Sequence, residues 1–392
     1  MKNDFDIIVL GAGMVGAAAA LALSRKGISI AIVERQSTLA ESYQITDEPE
    51  LRQSAISPAS QELLNQLGVW AEIEKQRSCH YQRMTVWHES GSVEMNFASE
   101  QVGATHLGTI VENRLIQYIL LKQLNNLANV TLFGEQEVIS IDQQPAGVEI
   151  QTSAKVKLTA KLLIAADGRG STASRLLKLP VTSGNYNQTA IVANVTTENG
   201  HQNTAWQRFL STGPLAFLPL SNGQSSIVWS ADTERAQELL ALDDKAFMVQ
   251  LGYAFERRLG KVTSCSQRMS FPLSWHSADR WLQGHVLLIG DAAHGVHPLA
   301  GQGVNLGFGD VSLLRQLLDS GQELFSYKLL RQFERQRKAE TVTATHLFSA
   351  LKQLYAQQNP LLCLARDLGM SVIENTHMLK RKVVQNAIEN QV

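Results

Sequence analysis

Three glycine-rich segments hold the residues whose types and spacing could do chemistry: GAGMVG at 11–16, AADGRGSTASR at 165–175 and GDAAHGVHPLAGQGVNLG at 290–307. Gly11, Gly13 and Gly16 leave a stretch of backbone bare of side chains, where a phosphate can approach and the N-terminus of a following helix favours its charge. The third segment packs five glycines, an acid and two histidines into eighteen residues. His294 and His297 alone could suggest a metal, but no acidic or histidine partners lie at ligand spacing, and no metal is assigned. No Ser-His-Asp or Cys-His arrangement can be argued from spacing.

The surrounding elements must place these segments together. FDIIVL at 5–10 reads as a buried strand, the alanine-rich stretch after Gly13 as a helix stopped by Gly27, and ISIAIVE as a second strand. Strand, glycine turn, helix and parallel strand make a βαβ unit. Glu34 ends its second strand eighteen residues after Gly16, where an acid, with the adjoining Arg35, can meet ribose hydroxyls. The unit therefore binds a dinucleotide. KLLI and VLLI lead into the other two motifs, so Asp167 and Asp291 should sit at strand ends beside the first. Asp291 could then bind the ribityl hydroxyls of a flavin, while Asp167 lines a groove for a second dinucleotide or holds its loop.

SPASQELLNQLGVW reads as a helix begun by Ser57 and Pro58. RMTVWH, SVEMNF and HLGTIVE look like strands of an inserted antiparallel sheet, in which His80, Trp87 and His88 have core or surface roles. A helix is expected over 113–126, strands dominate 183–276, and one long helix over 244–259 interrupts them. Another helix follows from Gly303, and the last ~70 residues should be mostly helical. Positive charges around 335–338 and 380–382 fit a solvated face, or a docking face for a membrane surface or partner.

Composition sets the outer limits. A chain of 392 residues with 44% hydrophobic and 18% charged residues can bury a large core and is not disordered. With 35 basic and 36 acidic residues, nothing advertises a nucleic-acid surface. Cys79, Cys265 and Cys363 lie far apart and suggest a reducing compartment. The N-terminus resembles neither a signal peptide nor a membrane span, and the expected location is cytoplasmic, peripheral at most at the inner membrane.

GxGxxG, a DG segment and a GD segment in this order resemble the flavoprotein aromatic hydroxylases, the group typified by p-hydroxybenzoate hydroxylase. LRQSAISPASQELLNQLGVW, IVENRLIQ, GPLAFLPL, SIVW, the 290–307 segment and RQFERQRKAE extend the likeness to the ubiquinone-biosynthesis hydroxylases of bacteria, over nearly the whole chain. The resemblance implies an α/β FAD-binding Rossmann-like domain, a mostly antiparallel β-sheet substrate domain and a helical C-terminal region. The expected division is 1–70, 98–182 and 284–320 for FAD, 71–97 and 183–283 for substrate, and 321–392 for the helical region.

The resemblance also implies roles. Gly301, Gln302, Gly303, Val304 and Asn305 would bring a helix N-terminus against the flavin, where its reduced form is negative. Arg52 and Arg114 match positions that touch the flavin, and the His297–Pro298 segment would pass over the ring where oxygen reacts. NADH or NADPH reduces the flavin, oxygen adds at C4a, and the hydroperoxide hydroxylates a polyprenylated phenol or quinol. Further implied partners are proteins of a quinone-biosynthesis complex and a membrane surface, with no nucleic acid. RMTVW and HLGTIVEN lean slightly to the C5 branch. A reductase or dehydrogenase of the same fold, a halogenase lacking its usual WxWxxP, and a noncatalytic FAD-binding accessory protein are the rival readings.

Overall fold

The computed structural model describes residues 4–25, 27–37, 43, 45–89, 93–295, 303–319, 325–356 and 360–389. Among them the strands form three sheets. The first runs, in spatial order, Leu282–Gln283, Val286–Leu288, Lys157–Ala165, Phe5–Leu10, Ile30–Val33 and Val130–Phe133. Its last five strands are parallel, as buried apolar runs joined through helices must be. Leu10 pairs with Ala165, and Ala165 with Leu288. All three glycine motifs therefore leave adjacent strand ends on one edge, where the chain order reverses and ligands of open α/β sheets bind.

The helix Met14–Ser24 packs closely because Ala17 to Ala22 and Leu23 are all buried and mostly small. Its neighbours are the helices Asn113–Asn125 and Gly303–Asp319. Ser57 caps the helix Pro58–Gln66 by accepting from the Ser60 N–H at 3.2 Å, with Pro58 supplying the fixed first turn. A further short helix, Trp70–Gln76, begins at the last residue of the SPASQELLNQLGVW segment and runs beyond it.

The expected inserted antiparallel sheet is two structures. Ser78–Tyr81 joins Gly108–Glu112 and Gln53–Ile56 in a small three-stranded sheet. Arg83–His88 and Met95–Ala98 instead extend the large second sheet, where Arg83–His88 pairs parallel to Thr204–Leu210. The other ladders of that sheet are antiparallel. The long helix expected over 244–259 is shorter, Asp244–Ala254, because Glu256 and Arg257 take φ of 53° and 51°. An unforeseen helix, Thr233–Ala241, precedes it. These two helices cover one face of the second sheet around Phe217, Trp229, Phe247 and Phe255.

The C-terminal region forms three helices, Tyr327–Ala356, Pro360–Asn375 and His377–Glu389. The first runs back across the FAD-side core through Leu329, Leu330 and Phe333. Among the described residues no helix is long and apolar enough to cross a membrane.

Candidate flavin site

A cavity of about 480 Å³ opens at the meeting of the three motifs. Gly13 and Asp291 come from strand ends of the first sheet, Gly303 and Val304 from the start of a helix, and Arg52 and Phe271 complete the lining. The three glycines of the first motif are not equivalent. Gly11 sits at φ +94°, and a Cβ there would meet the Ala166 carbonyl; a Cβ on Gly16 would meet the Gly11 carbonyl. A Cβ on Gly13 meets nothing within 4 Å. Packing thus demands the outer two, whereas the middle one keeps open a space that the protein itself does not fill.

Glu34 holds the turn before this space. Its carboxylate accepts from the Ala12 N–H at 2.7 Å and the Gln36 N–H at 2.8 Å, while Gln117 donates to the Ala12 carbonyl at 2.7 Å. Two carboxylate oxygens offer about four acceptor sites, so these bonds leave capacity for ribose hydroxyls.

Asp291 is exposed toward the cavity, but its backbone is fixed on both sides. The preceding Gly290 N–H donates to Asp310 at 2.7 Å, and His276 Nε2 lies 2.7 Å from the Asp291 carbonyl. Asp310 is 0% exposed and also binds His294 Nε2 at 2.8 Å and Arg337 Nε at 2.7 Å. Burial alone would raise the Asp310 pKa; His294, Arg337 and the Gly290 N–H more than offset it and hold the carboxyl below its ordinary range.

A cavity floored by a bare glycine turn, with an outward carboxylate and a helix N-terminus converging on it, fits a flavin dinucleotide. The FAD binding domain family model (FAD_binding_3) matches residues 4–346. Ubiquinone biosynthesis monooxygenase COQ6, mitochondrial, of Danio rerio is 33% identical over 97% of this chain and 89% of its own length. The 3-demethoxyubiquinol 3-hydroxylase of Escherichia coli K12 is 32% identical over 98% of each chain. This chain belongs to the FAD-dependent ubiquinone-biosynthesis hydroxylases. It is a monooxygenase that uses FAD. Solved structures of p-nitrophenol 4-monooxygenase PnpA from Pseudomonas putida and of a Klebsiella pneumoniae HpxO variant complexed with FAD share the fold. Their TM-scores are 0.79 and 0.76, at 20% and 18% identity, and each alignment covers 98% of both chains.

Within the hydroxylase, the expected site residues separate into groups. Gly13, Arg52, Asp291, Gly303 and Val304 line the cavity; the Arg52 guanidinium stands 5.7 Å from the centre of the Phe271 ring. His297, Pro298, Gly301 and Gln302 lie outside the described residues. Arg35 is exposed beside Glu34. Arg114 faces Glu50 at 3.3 Å and the Tyr43 ring at 5.6 Å, with its side chain 53% exposed. The Asn305 side chain clamps two elements, donating to the Ala55 carbonyl at 2.8 Å and accepting from the Ser57 N–H at 3.1 Å. Its place in the first helical turn leaves its backbone N–H without an acceptor inside the helix.

Asp167 holds its loop: one carboxylate oxygen accepts from the N–H groups of Thr172 at 2.6 Å and Ala173 at 3.2 Å. Burial raises its pKa against those bonds. Neighbouring Gly168 and Arg169, rather than Asp167, line the cavity.

Sequence reasoning missed His276, Asp310 and Arg337. It also placed Arg337 and Lys380 on basic faces, which the structure corrects: Arg337 is 3% exposed on Asp310, and Lys380 is buried against Glu374 at 2.6 Å. The available signal was spacing, since Glu334 and Arg337 fall on one helical face with the apolar Leu330 and Phe333.

Proposed function

We propose that the protein hydroxylates the aromatic ring of a polyprenylated phenol or quinol in ubiquinone biosynthesis, with O2 and NADH or NADPH as co-substrates. The observation that carries this reading is the single cavity in which the dinucleotide turn at Gly13, the Asp291 carboxylate and the Gly303 helix start meet an apolar wall from the second sheet, in a chain related end to end to quinone-pathway hydroxylases. When bound, FAD supplies acceptance of hydride from NAD(P)H and activation of O2.

The chain's own residues bind, orient and exclude water. Gly13 leaves room for the pyrophosphate, Glu34 takes the ribose, and Asp291 takes the ribityl hydroxyls. The N–H groups from Gly303 to Asn305 would hold the flavin where its reduced form is negative. Arg52, lying over Phe271, orders the cavity wall, and Arg114, paired with Glu50 outside the cavity lining, would approach the cofactor from there. His297 and Pro298 would cover the reacting face. Val192, Val228, Phe271 and Leu273 keep water from the reacting carbon and receive the substrate ring.

The division of labour we propose is 1–70, 98–182 and 284–320 for FAD, 71–97 and 183–283 for substrate, and 321–392 for the helical region. A tail left in the bilayer would bring the protein to a membrane surface or a quinone-synthesis partner. Exposed Leu368, Val372, Leu379 and Val383 beside exposed Arg381 and Lys382 support that approach. Expression in hydroxylase-deficient cells, with the quinone intermediates identified by mass, tests the function. Restored quinone supports it; an unchanged intermediate pool despite FAD-loaded protein refutes it.

A further inference from the structure

The buried group Arg337–Asp310–His294 lies behind the cavity rather than in it, apart from the edge of His294. Asp310 gathers three elements. It accepts from Gly290 N–H on the turn that carries Asp291, from His294 at the end of that turn, and from Arg337 on the helix Tyr327–Ala356. Arg337 also donates to the Leu306 carbonyl at 2.9 Å, in the first turn of the helix that begins at the cavity, and pairs with Glu340. Trp281 stacks on His294, with ring centres 4.8 Å apart.

Nothing in the flavin chemistry calls for a fully buried carboxylate here, and burying one unpaired would be costly. Its own bonds fix the turn bearing Asp291, and its partner Arg337 reaches on to the Leu306 carbonyl near the start of the helix at Gly303; these are two pieces of backbone that border the cavity. Gly290 has φ +56°, and a Cβ there would press on Val15, so the turn is held in a conformation that other residues rarely adopt. His276 ties the same turn from the other side.

We propose that Asp310 is a positioning residue for the flavin site, acting through the Gly290–Asp291 turn, and that Arg337 makes the C-terminal helix part of that site by tying it to Leu306 and Asp310 on the helix that begins at the cavity. The inference rests on the FAD reading of the cavity, and the parent protein's own FAD binding checks that reading separately. Asp310→Asn keeps the shape, but an amide cannot accept from Gly290, His294 and Arg337 at once.

The test measures FAD affinity by flavin fluorescence on cofactor-free protein, the visible spectrum of the flavin at saturation, and the melting temperature without FAD. Asp310→Asn should weaken FAD by about tenfold or more and shift the bound-flavin spectrum even at saturation. A role in stability alone would lower the melting temperature and leave the saturated spectrum unchanged. Arg337→Lys retains the charge but not the fork that spans Asp310 and Leu306. It should fold, bind FAD less tightly and show a spectral shift in the same direction, which keeps the idea testable should Asp310→Asn not fold. A folded Asp310→Asn, or in its absence Arg337→Lys, with parental affinity and spectrum would overturn the proposal.

Discussion

Gly13→Val separates what the fold needs from what the ligand needs. Gly13 caps the helix Met14–Ser24 with φ −66° and ψ 176°, extended backbone that valine adopts readily, and its Cβ would meet no protein atom within 4 Å. The expected loss of stability without cofactor is about 1 kcal/mol or less, the cost of a poorer N-cap residue. On the proposed reading, the valine side chain would stand where the pyrophosphate crosses the turn. Displacing it from two backbone N–H groups, at about 1.5 to 3 kcal/mol each for bonds to a charged group, removes about 3 to 6 kcal/mol. That corresponds to an affinity loss of roughly 10² to 10⁴. Flavin fluorescence titration gives the affinity, and thermal melting of the cofactor-free protein gives the stability. Gly11→Ala should fail differently, by misfolding, because its Cβ would meet the Ala166 carbonyl 2.5 Å away. A folded Gly13→Val protein with parental FAD affinity would refute the reasoning.

Glu34→Ala and Asp291→Ala should each weaken FAD by about 1 to 3 kcal/mol, the range for losing a buried hydrogen-bond partner; unchanged affinity in both would mean that the ligand lies elsewhere. Asp310 has a folded-state pKa below its unfolded value of 3.8, so its contribution to stability is complete above that value and is lost as the pH falls through the lower one. The melting temperature of cofactor-free protein should decline in that acid range, and less steeply in Asp310→Asn; identical acid profiles would count against the buried ion pair. Burial raises the Cys79 and Cys265 thiols to about 11, so both should be alkylated far more slowly by iodoacetamide at neutral pH than in unfolded protein. Peptide mass spectrometry reads this directly, and rapid labelling of the native chain would contradict the burial.

The flavin half of the molecule was legible because its signals are local. The run FDIIVL, the glycine turn and the alanine helix each declare themselves within a dozen residues, and the apolar strands before Asp167 and Asp291 place both acids at one sheet edge. What stayed hidden depends on pairing at a distance. Asp310 and Arg337 are 27 residues apart on different helices, so arginine in a basic run reads as solvated until its burial is seen. Ser78–Tyr81 and Arg83–His88 are nearly contiguous strands, yet they enter different sheets because the first pairs with Gly108–Glu112 and the second with the distant Thr204–Leu210. Asn305 shows the limit within a motif: the helix start was legible, but its side chain serves packing across to Ala55 and Ser57.

Oxygen-isotope labelling tests the central claim most directly. Purified FAD-loaded protein is given NAD(P)H, labelled O2 gas and a polyprenylated phenol, beside the same phenol without its tail, and the products are read by mass. One labelled oxygen atom should enter the ring of the tailed substrate, and the tail-free analogue should give less product and more peroxide as reduction uncouples from hydroxylation. Label arriving from water instead of O2, or equal turnover of the tail-free ring, would contradict the account.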